Sequence, residues 1–195
     1  MIRAIVLAAG ASRRLGEPKA TADLGGRTAL ERLLDALAVV DRRPLVVVGA
    51  HADEIRARVR ASCEWVCNED WAEGRSTSLA AGLTHASGYD VLVAPVDVPL
   101  VTAETVAGLA RAWRAAKEPE QGWLAPRLGP EGRHGHPILI GRTLLAQLDT
   151  GKELRTLRAR AAPLLEWSCS DPAILDDLDT PDDLARLRER LTRGY

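Results

Sequence analysis

The 195-residue sequence predicts an α/β fold of three layers, α/β/α, around a mainly parallel sheet. Three observations carry this reading. Short apolar runs alternate with longer segments of helical period, as in parallel strands joined by crossover helices. No Gly/Ser/Pro-rich linker or internal repeat divides the chain, so residues 1–195 are expected to form one domain. The composition, 46% hydrophobic and 27% charged, is that of an ordinary globular protein.

Taken in order, strands are expected at residues 2–7, 45–48, 65–67, 91–95, 122–126, 136–140 and 164–168. Helices are expected at 28–39, 53–61, 76–86, 103–116, 142–147, 153–161 and 181–191. Phe is absent, so Leu, Val, Ile and Ala must fill the core. In open sheets of this kind, ligands bind beyond the carboxyl ends of the strands, near a reversal of strand order. Three of the motifs below follow strands directly.

Charge and cysteine usage narrow the function. The 26 basic and 27 acidic residues nearly cancel, which gives no sign of a nucleic-acid partner while allowing a local pocket for a small anion. The apolar run at residues 4–10 is far shorter than a membrane span and lacks the flanks of a signal peptide. No membrane association is expected. Three cysteines form an odd set without zinc spacing, so a reducing, cytoplasmic setting is expected. Cys63, Trp65 and Cys67 alternate, which places them on one strand face as hydrophobes, the alternative being a reactive thiol.

The loop after the first strand reads Leu7-Ala8-Ala9-Gly10-Ala11-Ser12-Arg13-Arg14-Leu15-Gly16-Glu17-Pro18-Lys19. It matches neither a Walker A loop nor a GxGxxG fingerprint. Small residues at Ala8, Ala9 and Gly10 let backbone N–H groups approach phosphates, and Arg14 and Lys19 supply positive charge. A tight strand-to-helix turn with solvated cations accounts for the same residues.

Further motifs also admit two readings. In Asn68-Glu69-Asp70-Trp71-Ala72-Glu73-Gly74-Arg75-Ser76-Thr77-Ser78, Ser76 suits a helix N-cap, while polar groups at a helix N-terminus can orient a base or ribose. Asp97 follows an apolar strand and precedes a proline turn, where it can bond local amides or ligate Mg²⁺. His134 and His136 have the spacing of a metal pair but no third ligand nearby. Thr180, Pro181 and Asp183 read as a helix start with a capping box, which leaves Asp177 and Asp179 unexplained.

The first loop resembles the LAAGxSxRMGxxK signature of the MobA-like NTP transferases, the family of the molybdenum cofactor cytidylyl- and guanylyltransferases. It departs only at Leu15, where Met is usual. The Asn68 segment is similar to that family's N-x-x-W-x-x-G-x-x-S-S-L run, with Thr77 for the first Ser. The motif at Asp97 resembles D-Q-P-L-V, with Val98 replacing Gln, and His136-Pro137 resembles G-H-P. The ending at Asp179-Thr180-Pro181 resembles D-I-D-T-P-E-D-L. The likeness covers nearly the whole chain and implies a Rossmann-like nucleotidyltransferase fold.

It also implies residue roles. Leu7, Ala8, Ala9, Gly10, Ser12, Arg14 and Lys19 would bind the nucleotide, with Asn68 and Ser78 beside its base and ribose. Arg14, Lys19 and Asp97 would be catalytic, and Asp97 and Asp179 would ligate Mg²⁺. His136 would line the acceptor pocket. Arg155 would keep a basic acceptor-binding role, although the family's G-D-x-G-A-R here reads Asp149-Thr150-Gly151-Lys152-Glu153-Leu154-Arg155. The double Ala resembles the cytidylyl branch and implies CTP. The implied reaction is transfer of CMP to a phosphorylated acceptor of the molybdopterin type, with pyrophosphate released. Another phosphorylated small molecule (a sugar, polyol or lactate phosphate) is the other enzyme reading. A nucleotide-binding maturation partner of a molybdoenzyme, with little turnover, is the reading from a different class.

Overall fold

The structure, a computed structural model, describes residues 1–193. Among the described residues seven strands form one sheet: β1 (Ile2–Ala8), β2 (Leu45–Val48), β3 (Glu64–Cys67), β4 (Asp90–Pro95), β5 (Trp123–Leu128), β6 (Ile138–Ile140) and β7 (Leu164–Cys169). Their order is β3-β2-β1-β4-β6-β5-β7. Only β6 runs antiparallel to its neighbours, β4 and β5. The chain starts in the middle with β1, steps outward to β2 and β3, then returns to place β4 on the other flank of β1. The carboxyl ends of β1 and β4 therefore bracket the reversal of strand order, where ligands collect in such sheets.

The helices are α1 (Ala29–Leu37), α2 (Ala52–Arg58), α3 (Arg75–Leu83), α4 (Ala103–Ala115), α5 (Arg142–Leu145), α6 (Arg155–Arg158) and α7 (Pro181–Arg193). Alternation along the strands sorts their side chains into two cores. Ala4, Val6, Val46, Val48, Leu92 and Ala94 pack on one face with Leu30, Leu33 and Leu37 of α1 and Leu109 and Trp113 of α4. Ile5, Val47, Val91 and Val93 pack on the other with Leu79 of α3 and with Leu144 and Leu157.

A third cluster joins distant parts of the chain. Leu15 from the first loop, Ala173, Leu178, and Leu184 and Leu187 of α7 pack together. At about 25 cal/mol per Å² of apolar surface, burying several such side chains contributes several kcal/mol towards docking the C-terminal segment beside that loop.

Local chemistry explains most departures from the expected bounds. β6 begins at Ile138, two residues later than expected, because Pro137 has no N–H to give the ladder. The expected N-cap Ser76 is inside α3. Gly74 is the N-cap instead, with φ of 124°, a value that favours glycine. Ser76 Oγ donates to the carbonyl of Lys152. Cys63 and Trp65 pack against the core as expected, whereas Cys67 at the strand's end is exposed. The capping box at Thr180 is formed: Thr180 N donates to Asp183 Oδ2 at 2.9 Å, and Asp183 N donates to Thr180 Oγ1 at 3.2 Å.

Candidate active site

A cleft of about 320 Å³ opens at the strand-order reversal. Its lining includes Leu7, Ala8, Ala9, Gly10, Ser12, Arg14 and Lys19, every first-loop residue expected to hold nucleotide. Ser78, Asp97 and Asp179 also reach it, as do Trp71, Arg13 and Arg75.

The first loop is shaped by its own hydrogen bonds. Ser12 has φ of 50° and its carbonyl accepts from Leu15 N at 3.1 Å and Gly16 N at 3.2 Å. Its hydroxyl accepts from Lys19 N at 3.0 Å, which closes the loop and aims Lys19 inward. Ala50 N donates to Ala9 O at 3.0 Å, tying the loop to the end of β2. Gly49 makes that approach possible, since a Cβ there would lie 2.6 Å from Trp71 Cβ and 2.8 Å from Ala9 O. A Cβ at Gly10 would meet nothing within 4 Å, so the backbone there faces open space that a phosphate can fill. The methyl of Ala8 packs in the core. Ala8 thus joins the core to the cleft it also lines.

Asp97 and Asp179 come together through the backbone. Leu178 N donates to Asp97 O at 2.8 Å, which lays the C-terminal segment along the end of β4. Lys19 Nζ then sits between the two carboxylates, bonded to Asp179 Oδ1 and 3.7 Å from Asp97 Oδ2. Arg14 donates to Asp179 Oδ2 at 2.6 Å. Arg75 approaches Asp97 Oδ2 at 3.4 Å. The Lys19 hydrogen bond, helped by the Lys19 and Arg14 charges, holds the Asp179 carboxyl below its ordinary range. Burial, followed by the charges of Asp97 and Asp179, pushes Asp177 upward.

Two carboxylates facing one ammonium are a hard, anionic donor set of the type that suits Mg²⁺ or Mn²⁺. Among the described residues there is no group of three or more Asp, Glu, His or Cys poised as a metal cluster. A cation at Asp97 and Asp179 would take further oxygens from phosphate and water, the usual manner of Mg²⁺.

Other expected residues stand differently. Asn68 is buried and hydrogen-bonded: its Nδ2 donates to Thr77 Oγ1 and Ser78 Oγ, each at 3.0 Å, and its Oδ1 accepts from Asp70 N at 3.1 Å. It orients Ser78, which lines the cleft where Asn68 itself does not. His136 is half-buried, its Nδ1 is buried without a partner, and desolvation lowers its basicity against the pull of Asp97. His134 bonds Glu166 Oε1 at 2.6 Å, so the two histidines form no metal pair. Arg155 pairs with Glu153 at 2.5 Å, its side chain 80% exposed, and does not line the cleft.

Sequence reasoning did not single out Arg75. Its signal was a cation in the first turn of a helix, opposed by the macrodipole unless an anion faces it. Burial drives the Cys63 thiol up to about 11, and all three cysteines are free. No helix among the described residues is long and apolar enough to cross a membrane.

An open α/β sheet with a cation-rich cleft at its reversal point defines a doubly wound, ligand-binding protein. Its family follows from comparison with known proteins: the chain belongs to the MobA-like NTP transferase family, whose domain matches residues 4–167, and by that membership it is a nucleotidyltransferase. It is similar to the nicotine blue oxidoreductase of Paenarthrobacter nicotinovorans, 31% identical over 196 residues, 95% of this chain and 96% of that one. It is 25% identical to the molybdenum cofactor cytidylyltransferase of Escherichia coli strain K12 over 195 residues, 98% of this chain and 97% of that one. Rv0371C of Mycobacterium tuberculosis H37Rv, solved in complex with manganese, superimposes with a TM-score of 0.73 at 25% identity, covering 96% of this chain and 98% of that one.

Proposed function

We propose that the whole chain acts as one catalytic domain that transfers CMP from CTP to a phosphorylated small-molecule acceptor of the molybdopterin type. The observation that carries this reading is the Lys19 ammonium held between Asp97 and Asp179 beside the open backbone of Gly10. An oxygen of the acceptor phosphate attacks the α-phosphorus, the bond to the bridging oxygen breaks, and pyrophosphate leaves. A phosphate monoester is already an adequate nucleophile, so no proton-abstracting side chain is required.

Catalysis then rests on alignment and charge neutralisation. Backbone N–H groups of residues 8–10 hold the triphosphate, and Arg14 and Lys19 neutralise the charge that builds on the leaving pyrophosphate. Asp97 and Asp179 would hold Mg²⁺ or Mn²⁺, which supplies electrostatic stabilisation of the phosphates when bound. The manganese complex of the mycobacterial neighbour supports divalent-cation use. Ser78, set by Asn68, serves the base and ribose. His136 Nδ1, buried and unpartnered, serves the acceptor side, and Arg155 would reach it by exchanging Glu153 for acceptor phosphate. The cytidylyltransferase relative supports CTP, and a product of the molybdopterin type would be handed to a molybdoenzyme. Three free thiols support a reducing cytoplasm.

A second reading is favoured by the oxidoreductase relative. The same loop would hold the pyrophosphate of a reduced nicotinamide dinucleotide that delivers hydride to an organic substrate. One competition experiment addresses both. With Mg²⁺ and a phosphorylated pterin acceptor, CTP is expected to outcompete GTP, by about tenfold, the scale of shape-based discrimination. GTP winning by that margin overturns the cytidylyl reading. Consumption of NADH or NADPH without pyrophosphate release from any NTP establishes the second.

A further inference from the structure

Arg75 is the first residue of α3, where the partial positive charge of the helix end disfavours a cation. Its guanidinium approaches Asp97 Oδ2, the same oxygen that faces Lys19. Asp179 is engaged in parallel, one oxygen by Lys19 and the other by Arg14. Both carboxylates suited to a divalent cation are thus already neutralised by three side-chain cations. A metal ion entering the free cleft would have to displace them against like charge. A triphosphate reverses the balance, since its oxygens attract the same three cations and offer the remaining ligands a hard metal requires.

We propose that Arg75 competes with the divalent cation for Asp97 in the free enzyme and moves onto the nucleotide phosphates when they arrive. The cation and the NTP then bind with positive coupling, and by linkage each strengthens the other equally. Arg75 reaches the cleft with its side chain 68% exposed, so it can exchange partners without disturbing the core. This proposal rests on the nucleotide reading of the cleft.

The test is a Mn²⁺ titration followed by electron paramagnetic resonance, on wild type and Arg75→Gln, without and with α,β-methylene-CTP. Wild type alone is expected to bind Mn²⁺ weakly and to gain about tenfold or more with the analogue. Arg75→Gln is expected to bind Mn²⁺ on the order of fivefold more tightly without nucleotide and to show a correspondingly smaller gain with it. Arg75→Lys should return towards wild type, and circular dichroism should report an unchanged fold for both variants. Unchanged or weaker Mn²⁺ binding by nucleotide-free Arg75→Gln overturns the competition. An analogue that binds by calorimetry yet leaves Mn²⁺ affinity unchanged overturns the coupling alone. An analogue that does not bind at all overturns the nucleotide reading together with the coupling.

Discussion

Lys19 is held by three separate contacts: its backbone N–H to Ser12 Oγ, and its ammonium to Asp97 and to Asp179. A cation positioned in advance need not reorganise as charge develops on departing pyrophosphate, and that is where such groups contribute most. Lys19→Ala is therefore expected to lower kcat with little change in KM for the nucleotide, a loss of ~2–4 kcal/mol of transition-state stabilisation. Steady-state kinetics on the folded variant checks this, and an effect confined to KM would make Lys19 a ground-state binder only. The candidate positions Arg14, Lys19, Asp97 and Asp179 were reached through the resemblance of their motifs to the family, each having a structural alternative on its residues alone, and the fold brings the four together at one cleft. Arg75 and the true engagement of Asn68 were not reached that way. Their partners lie across the fold, and a helix-capping pattern explained the same segment.

The elements were legible because apolar periodicity and punctuation agreed. All seven strands occur where expected, and α1 shows how a cap fixes a boundary. Thr28 Oγ1 accepts from Glu31 N at 3.2 Å and Glu31 Oε2 accepts from Thr28 N at 2.9 Å, while Glu31 Oε1 accepts from Arg60 N at 2.7 Å. Burial works to raise the Glu31 carboxyl, but these backbone donors outweigh it and the net direction is downward from 4.5. A carboxyl lowered in the folded state contributes stability above its unfolded value and loses it as pH falls through the folded value. Glu31→Ala is expected to cost about 1–3 kcal/mol near neutral pH, since it leaves two backbone donors unmet. In urea titrations the gap from wild type should narrow once pH drops below 4.5. A gap that widens on acidification would contradict this reading of Glu31. What the sequence misplaced were element ends that depend on tertiary partners. α6 has only four residues, and the first cap of α3 shifted to Gly74 because Ser76 is spent on the Lys152 carbonyl.

At the scale of the molecule, the reversal between β2-β3 and β4 creates the cleft, and the Leu15–Leu178–Leu184 cluster brings the C-terminal carboxylate back to it. The sheet class followed from alternation alone. The closure of the C-terminal segment onto the first loop was implied only by the resemblance, which sets Asp179 beside Asp97, because leucines as far apart in sequence as Leu15 and Leu178 carry no local signal. That closure matters because it places Asp179 against Arg14 and Lys19, which neither strand end could supply. The most direct measurement follows the α-phosphate of CTP carrying an α-³²P label, with Mg²⁺ and a phosphorylated pterin acceptor, in wild type and Asp97→Ala. Expected is label in the acceptor product with one pyrophosphate released per label transferred, and loss of both in the folded Asp97→Ala protein. Label that stays in CTP or appears only as free CMP, or transfer that survives Asp97→Ala undiminished, would contradict metal-assisted nucleotidyl transfer at this cleft.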